Sequence, residues 1–137
     1  MALINKPSVV LADDHIGMLK KIEEILGEQV RVICKVGDGT AAIEAALKHK
    51  PDILLLDVAM PKCNGIQAAR DLRRRGSVCR IIFLTVQEDA DYVHAATEMS
   101  ACYVLKTKMY TDLSLAIRES LNGGRFVSAL SAPVPLP

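Results

Sequence analysis

The sequence predicts a single doubly wound α/β domain built on a five-stranded parallel sheet. Three observations predict it. Short apolar runs alternate along the chain with segments whose apolar residues recur at three- and four-residue spacing. Two of the runs, residues 53–56 (Ile-Leu-Leu-Leu) and 81–84 (Ile-Ile-Phe-Leu), are unbroken, as in strands covered by helices on both faces. The whole alternation fits within 137 residues, the size of one ordinary domain.

Taken in order, residues 8–12 (Ser-Val-Val-Leu-Ala) form the first strand and stop at Asp13-Asp14. Ile16, Leu19, Ile22 and Leu26 then mark a helix, and Gly27 ends it. Val30, Val32, Cys34 and Val36 alternate with Arg31 and Lys35, the pattern of a half-exposed strand near a sheet edge. Gly37 to Thr40 supply a turn with capping residues, and Ala42, Ile43, Ala46 and Leu47 form the second helical face. The third strand, 53–56, ends at Asp57. Asn64-Gly65 opens a helix carrying Ile66, Ala69 and Leu72. Arg73, Arg74 and Arg75 suit the negative end of that helix, and Gly76 caps it.

The fourth strand, 81–84, ends at Thr85, and residues 89–99 are helical with Val93 and Ala96 inward. The fifth, 101–105, ends at Lys106. Leu113, Ala116, Ile117 and Leu121 make the last stripe, closed by Asn122-Gly123-Gly124. Residues 1–128 therefore read as the domain. Residues 129–137, with Pro133, Pro135 and Pro137, read as a tail or the start of a linker. Right-handed crossovers place helices on both sheet faces. The expected strand order is 2-1-3-4-5, the flavodoxin-like arrangement, with its switch point between strands 1 and 3.

Composition narrows the function. Seventeen basic residues against 16 acidic give a net charge of +1, which argues against a broad footprint for nucleic acid or an anionic membrane. The longest apolar run, 101–105, is far short of the roughly 20 residues that span a bilayer. The first residues lack the layout of a secretory leader. Cys34, Cys63, Cys79 and Cys102 are irregularly spaced, and three of them lie in or beside apolar runs; they read as free thiols of a cytoplasmic protein. His15, His49 and His94 are scattered without ligand spacing.

In a sheet of this kind the ligand crevice lies outside the carboxyl ends of the strands. The residues following the apolar runs are Asp13 and Asp14, Asp57, Thr85 and Lys106. Three carboxylates converging on one end repel each other; two unit charges about 4 Å apart cost roughly 4 kcal/mol at an effective dielectric of 20. A divalent cation relieves that repulsion. Hard oxygen donors with no nearby His or Cys favour Mg²⁺ or Mn²⁺ over Zn²⁺. A carboxylate beside such an ion, with an ammonium and a hydroxyl at hand, suits nucleophilic capture of a phosphoryl group. Each polar residue alone reads equally well as a simple cap; all five at one end of one sheet do not.

This ordered set resembles the receiver domains of two-component response regulators. The matching pieces are Leu-Ala-Asp13-Asp14-His15, Leu-Leu-Leu-Asp57-Val-Ala-Met-Pro61 with Gly65 following, Phe-Leu-Thr85, and Tyr103-Val-Leu-Lys106. Asp14-His15 and Gly123-Gly-Arg-Phe-Val-Ser128 further resemble the subfamily whose receivers carry a helix-turn-helix DNA-binding domain. The resemblance implies that Asp57 is the phosphoacceptor, and that Asp14, Asp57 and the backbone carbonyl of Ala59 bind Mg²⁺ directly, with Asp13 acting through water. It implies that Thr85 and Lys106 engage the phosphoryl group and that Tyr103 is an aromatic switch that turns inward when Thr85 moves; the plainer reading of Tyr103, compatible with that, is a strand residue half covered by the fourth helix. Ala59 and Gln87 flank the expected phosphoryl position and modulate its lifetime. The implied partners are a sensor histidine kinase, a second copy of the chain on phosphorylation, and DNA only through a C-terminal domain beyond this chain.

Lys106 is followed by Thr107 where many receivers have proline, so a cis bond there is not expected: outside proline it costs about 2.5–4 kcal/mol. Cys63-Asn64 replaces a more usual pair before Gly65. An aspartyl phosphatase is disfavoured because Ala59 stands where its general acid would sit. A flavin module is disfavoured because Asp13 and Asp14 would repel its phosphate. A receiver that only docks would not need the complete acidic set. The expected signalling surface is that of the fourth and fifth helices, with Leu115 exposed and Asp91, Glu98, Lys108 and Arg118 available to pair across it. The first and fifth helices are the alternative surface.

Overall fold

The computed structural model describes residues 6–128. Its elements run β1 (Ser8–Ala12), α1 (Ile16–Leu26), β2 (Arg31–Val36), α2 (Gly39–His49), β3 (Ile53–Asp57), α3 (Gly65–Arg74), β4 (Arg80–Thr85), α4 (Ala90–Glu98), β5 (Cys102–Leu105) and α5 (Met109–Leu121). The five strands form one parallel sheet in the order β2-β1-β3-β4-β5, as the alternation predicted. The tail expected at 129–137 lies outside the described residues.

Two apolar layers sandwich the sheet, and the period-two alternation of the strands sorts residues between them. Val9, Leu11, Ile53, Leu55, Ile82, Leu84, Cys102 and Val104 face α1 and α5. Val10, Ala12, Leu54, Leu56, Ile81, Phe83, Tyr103 and Leu105 face α2, α3 and α4. β3 is buried at all five positions, which explains its unbroken apolar run.

Several local expectations need correction. Ile16 is 84% exposed, not part of the α1 stripe: it is the first residue of the helix, beyond the Leu19, Ile22 and Leu26 face that meets the sheet. On α2 the buried face contains Ala42, Ala45 and Ala46, while Leu47 is exposed. β2 is an edge strand, but its alternation crosses the sheet. The register with β1 slips between Val9–Val32 and Val10–Cys34, so Val32 packs toward α1 while Cys34 and Val36 pack toward α2. Such bulges are frequent at edges.

Capping fixes the helices that carry the loops around the sheet's carboxyl end. Asp38 caps α2, and Asp89 caps α4 through Asp91 and Tyr92 N–H. Asn64 and Gln67 form a reciprocal capping box on α3. The arginines at the end of α3 are structural, as read. Arg74 and Arg75 pair with Asp71, and Arg73 donates to the carbonyls of Ser77, Cys79 and Met99.

One segment follows no expected element. After α5 the chain turns at Asn122–Gly124 and runs parallel to the outer edge of β5. Tyr103 N–H donates to Phe126 O at 2.8 Å, and Ser128 N–H donates to Tyr103 O at 2.9 Å. This short rung caps an edge that would otherwise expose unpaired main-chain groups.

Gly65 shows how tightly α3 is pressed against the site. A β-carbon there would lie 2.3 Å from Asp57 O, a main-chain atom that cannot swing aside. Gly65→Ala should destabilise the domain by roughly 1–3 kcal/mol, the range for overpacking. Gly17→Ala in α1 meets nothing within 4 Å and should stabilise it by up to about 1 kcal/mol. Urea unfolding of both variants measures the difference; equal stabilities would contradict this packing.

Candidate functional site

The parallel sheet sends every strand's carboxyl end to one edge, and there the polar residues gather. β1 delivers Asp13, β3 delivers Asp57, β4 delivers Thr85, and the residue after β5 is Lys106. Asp13, Asp57 and Thr85 are buried among otherwise apolar neighbours. The Lys106 ammonium lies 2.7 Å from Asp13 Oδ2 and 3.2 Å from Asp57 Oδ2. One buried cation therefore bridges two buried carboxylates.

The electrostatics are under-compensated. Burial pushes the Asp57 carboxyl above its ordinary pKa and the charge on Asp13 raises it further, while Lys106 and the Ala59 N–H act in the opposite direction. Ala59 N–H donates to Asp57 Oδ1 at 3.3 Å. Asp14 is the solvent-facing member, its side chain one-third exposed. Ligand atoms of Asp13, Asp14, His15 and Asp57 all lie within 4.8 Å of one another, so the acidic cluster fits a divalent cation.

His15 was not expected there. Its Nδ1 is 3.1 Å from Asp14 Oδ1 and 3.4 Å from Asp13 Oδ1, so the expectation of no nearby histidine is corrected. The cause is local: His15 N–H bonds to Asp13 Oδ1 and the chain curls back over the carboxylates before α1 begins. The ring is largely exposed, and the buried part of the site remains all-oxygen apart from Lys106.

Thr85 and Tyr103 join the site to α4. Thr85 Oγ1 accepts the Gln87 N–H at 3.1 Å, which leaves its own proton to donate. The Tyr103 hydroxyl donates to Gln87 O. Tyr103 is fully buried in the layer beneath α4, not half covered as expected, so its inward packing is already present here. Burial raises its phenol pKa, which keeps the ring a neutral donor. Ala59 and Gln87 are exposed at the mouth of the site. All peptide bonds among the described residues are trans, and Lys106–Lys108 form a 3₁₀ turn leading into α5.

The fold is thus a doubly wound parallel sheet with two buried carboxylates and a bridging lysine at the carboxyl ends of its strands. Residues 9–118 match the family described as response regulator receiver domain, and the chain belongs to that family. It is 32% identical over 126 residues to the transcriptional regulatory protein DegU of Brevibacillus brevis, covering 90% of this chain and 53% of that protein. It is likewise 32% identical to the transcriptional regulatory protein PdtaR of Mycobacterium tuberculosis, covering 92% and 62%. The chain thus spans between half and two-thirds of the length of these relatives. Among solved structures, it resembles a LuxR-family two-component response regulator from Aurantimonas with a TM-score of 0.82 and 26% identity, covering 89% of each chain. The isolated receiver of RcsB from Salmonella enterica serovar Typhimurium, solved in the presence of phosphomimetic BeF3-, gives 0.82 and 29%, covering 90% and 94%.

Sequence reasoning brought Asp13, Asp14, Asp57, Thr85 and Lys106 to one end of the sheet, and they meet there. It missed the His15 contact, which no spacing rule signals, and the anchoring of Ser128 described below.

The lysine bridge generates a stability test. Lys106→Met would leave Asp13 and Asp57 buried together without their cation, and breaking a buried pair in this way costs about 3–5 kcal/mol. Adding Asp57→Asn to that variant should recover part of the loss. Denaturant unfolding checks both changes; a neutral Lys106→Met would mean that the bridge does not compensate these carboxylates.

Proposed function

We propose that this chain is the phosphoacceptor module of a two-component transcriptional regulator, with Asp57 as the acceptor. The observation that carries the reading is the Lys106 ammonium held between Asp13 and Asp57. In the transfer, an Asp57 carboxylate oxygen attacks the phosphorus of a kinase phosphohistidine. The new P–O bond forms as the P–N bond breaks, and the imidazole leaves. Lys106 turns from Asp13 to the incoming phosphoryl oxygens, and the Thr85 hydroxyl donates to another of them.

Asp14, Asp57 and the Ala59 carbonyl would hold Mg²⁺, with Asp13 reaching it through water. Bound there, the ion supplies positive charge against the transferring phosphoryl group. Solvent-facing Asp14 leaves room for the waters that Mg²⁺ keeps.

The partners follow from this role: a histidine kinase as donor, a second copy of this chain in the active state, and DNA through an output domain. DegU and PdtaR are named transcriptional regulatory proteins, and an RcsB structure is described as dimers bound to DNA. The work of the domain is regulatory and its place cytoplasmic; among the described residues no helix is long and apolar enough to cross a membrane. Its own reaction is at most hydrolysis of the phosphoryl group, and that needs a water aligned with phosphorus. Ala59 offers that water no hydrogen bond, and Gln87 offers only an amide.

Acetyl phosphate with Mg²⁺ should add one phosphoryl group, located at Asp57 by mass spectrometry. Chelation of the metal or Asp57→Asn should abolish labelling. In the same assay Ala59→Asn should shorten the phosphoryl lifetime. Full labelling of Asp57→Asn would overturn the assignment, and an unchanged or longer lifetime in Ala59→Asn would remove the modulating role of that position.

A further inference from the structure

The exit from α5 is bonded to the strand that delivers Lys106, and it changes its means of bonding at one residue. Tyr103 makes two ordinary parallel-strand hydrogen bonds, to Phe126 O and from Ser128 N–H. A continuing ladder would next pair Leu105 N–H with the carbonyl of residue 128. Instead Leu105 N–H donates to the Ser128 side-chain hydroxyl at 3.1 Å. That hydroxyl donates in turn to Asp112 Oδ2 at 2.7 Å. Ser128 is 1% exposed. A hydroxyl accepts and donates at once, and an unmet Leu105 N–H at this buried position would carry a desolvation penalty.

Leu105 immediately precedes Lys106, whose 3₁₀ turn runs straight into α5, where Asp112 lies in the first turn. The Asp112–Ser128–Leu105 chain therefore grips the backbone from which the Lys106 side chain reaches Asp13 and Asp57. We propose that Ser128 and Asp112 are positioning residues for Lys106, and that this grip couples the state of Asp57 to the pairing of residues 126–128 with β5. The proposal rests on Asp57 being the phosphoacceptor. When Lys106 turns from Asp13 toward a phosphoryl group, the Leu105–Lys106 peptide shifts against the Ser128 hydroxyl. The first part of the domain to register occupancy is then the segment by which the chain leaves it. Ligands bias a two-state element only through contacts that differ between its states, and the bias is reciprocal. Loosening the exit segment must therefore change the affinity of the Asp57 site.

The outer edge of β5, between α4 and α5, is thus already occupied by this chain. A partner docking on that side meets Val127, 40% exposed, and no open strand edge at Tyr103.

The test is residue-resolved amide hydrogen exchange on the whole chain, with and without beryllium fluoride and Mg²⁺. Occupancy is read separately from the Asp57 and Thr85 amide shifts. In the native protein, occupancy should change exchange at Leu105 and Ser128 at least tenfold, while Leu55 in β3 follows global stability alone. Ser128→Ala should speed Leu105 exchange beyond any change at Leu55 and shift half-saturation by beryllium fluoride at least threefold. Ser128→Thr, which keeps the hydroxyl, should restore both. Ile22→Val, a destabilised control far from the exit segment, should not shift half-saturation. If the Asp57 and Thr85 amides shift fully while Leu105 and Ser128 do not, the coupling is wrong and the phosphoacceptor reading stands. If the Asp57 and Thr85 amides never shift, both fall. The native measurement decides these cases even if Ser128→Ala fails to fold.

Discussion

Two carboxylates buried at the ends of neighbouring strands are the constraint on which the rest of this structure depends. Asp13 and Asp57 follow Ala12 and Leu56, which are paired directly in the sheet. Their mutual repulsion and loss of hydration would destabilise a domain that did not compensate them. The compensation comes from two strands away: Lys106 follows β5, beyond β4, and only a long flexible side chain crosses that gap. The surrounding rules follow. Gly65 lets α3 close over the Asp57 backbone, and β3 between two apolar layers keeps the carboxylate's position fixed.

Under the proposed function the same constraint would make the site responsive. A lysine shared by two carboxylates would redistribute its bonds when a phosphoryl group arrived on one of them. Thr85 and Tyr103 both meet the Gln87 backbone, one accepting its N–H and the other donating to its carbonyl. The β4–α4 loop is therefore held from the site and from the core at one residue. Tyr103 is already buried in this structure, so its ring has no exposed position here from which to swing inward.

Much of this was legible in the sequence because parallel sheets are demanding. Ile53 to Asp57 must be apolar until its last residue, and the polar residue ending each run falls at the same edge. That logic gave the strand order and five site residues without any contact being known. It failed where a single strand or loop breaks its period. The bulge in β2 moves Cys34 and Val36 to the other face, and nothing in an alternating pattern announces a slip of register. Ile16 fits helical spacing but stands past the end of the sheet. His15 reaches the carboxylates because Asp13 bonds its N–H, a turn shaped by side chain and backbone together. The rung at 126–128 has no length or apolar period to betray it, since its bonds are to the main chain of Tyr103 and to one hydroxyl.

The central claim is that Lys106 exchanges Asp13 for a phosphoryl group on Asp57. A crystal structure of the beryllium fluoride adduct with Mg²⁺ tests it directly. The account predicts the Lys106 ammonium within about 3 Å of the adduct, the reach of a charge-assisted hydrogen bond, and withdrawn from Asp13. An adduct on Asp57 with Lys106 still bonded to Asp13 and out of reach of the fluorides would contradict it.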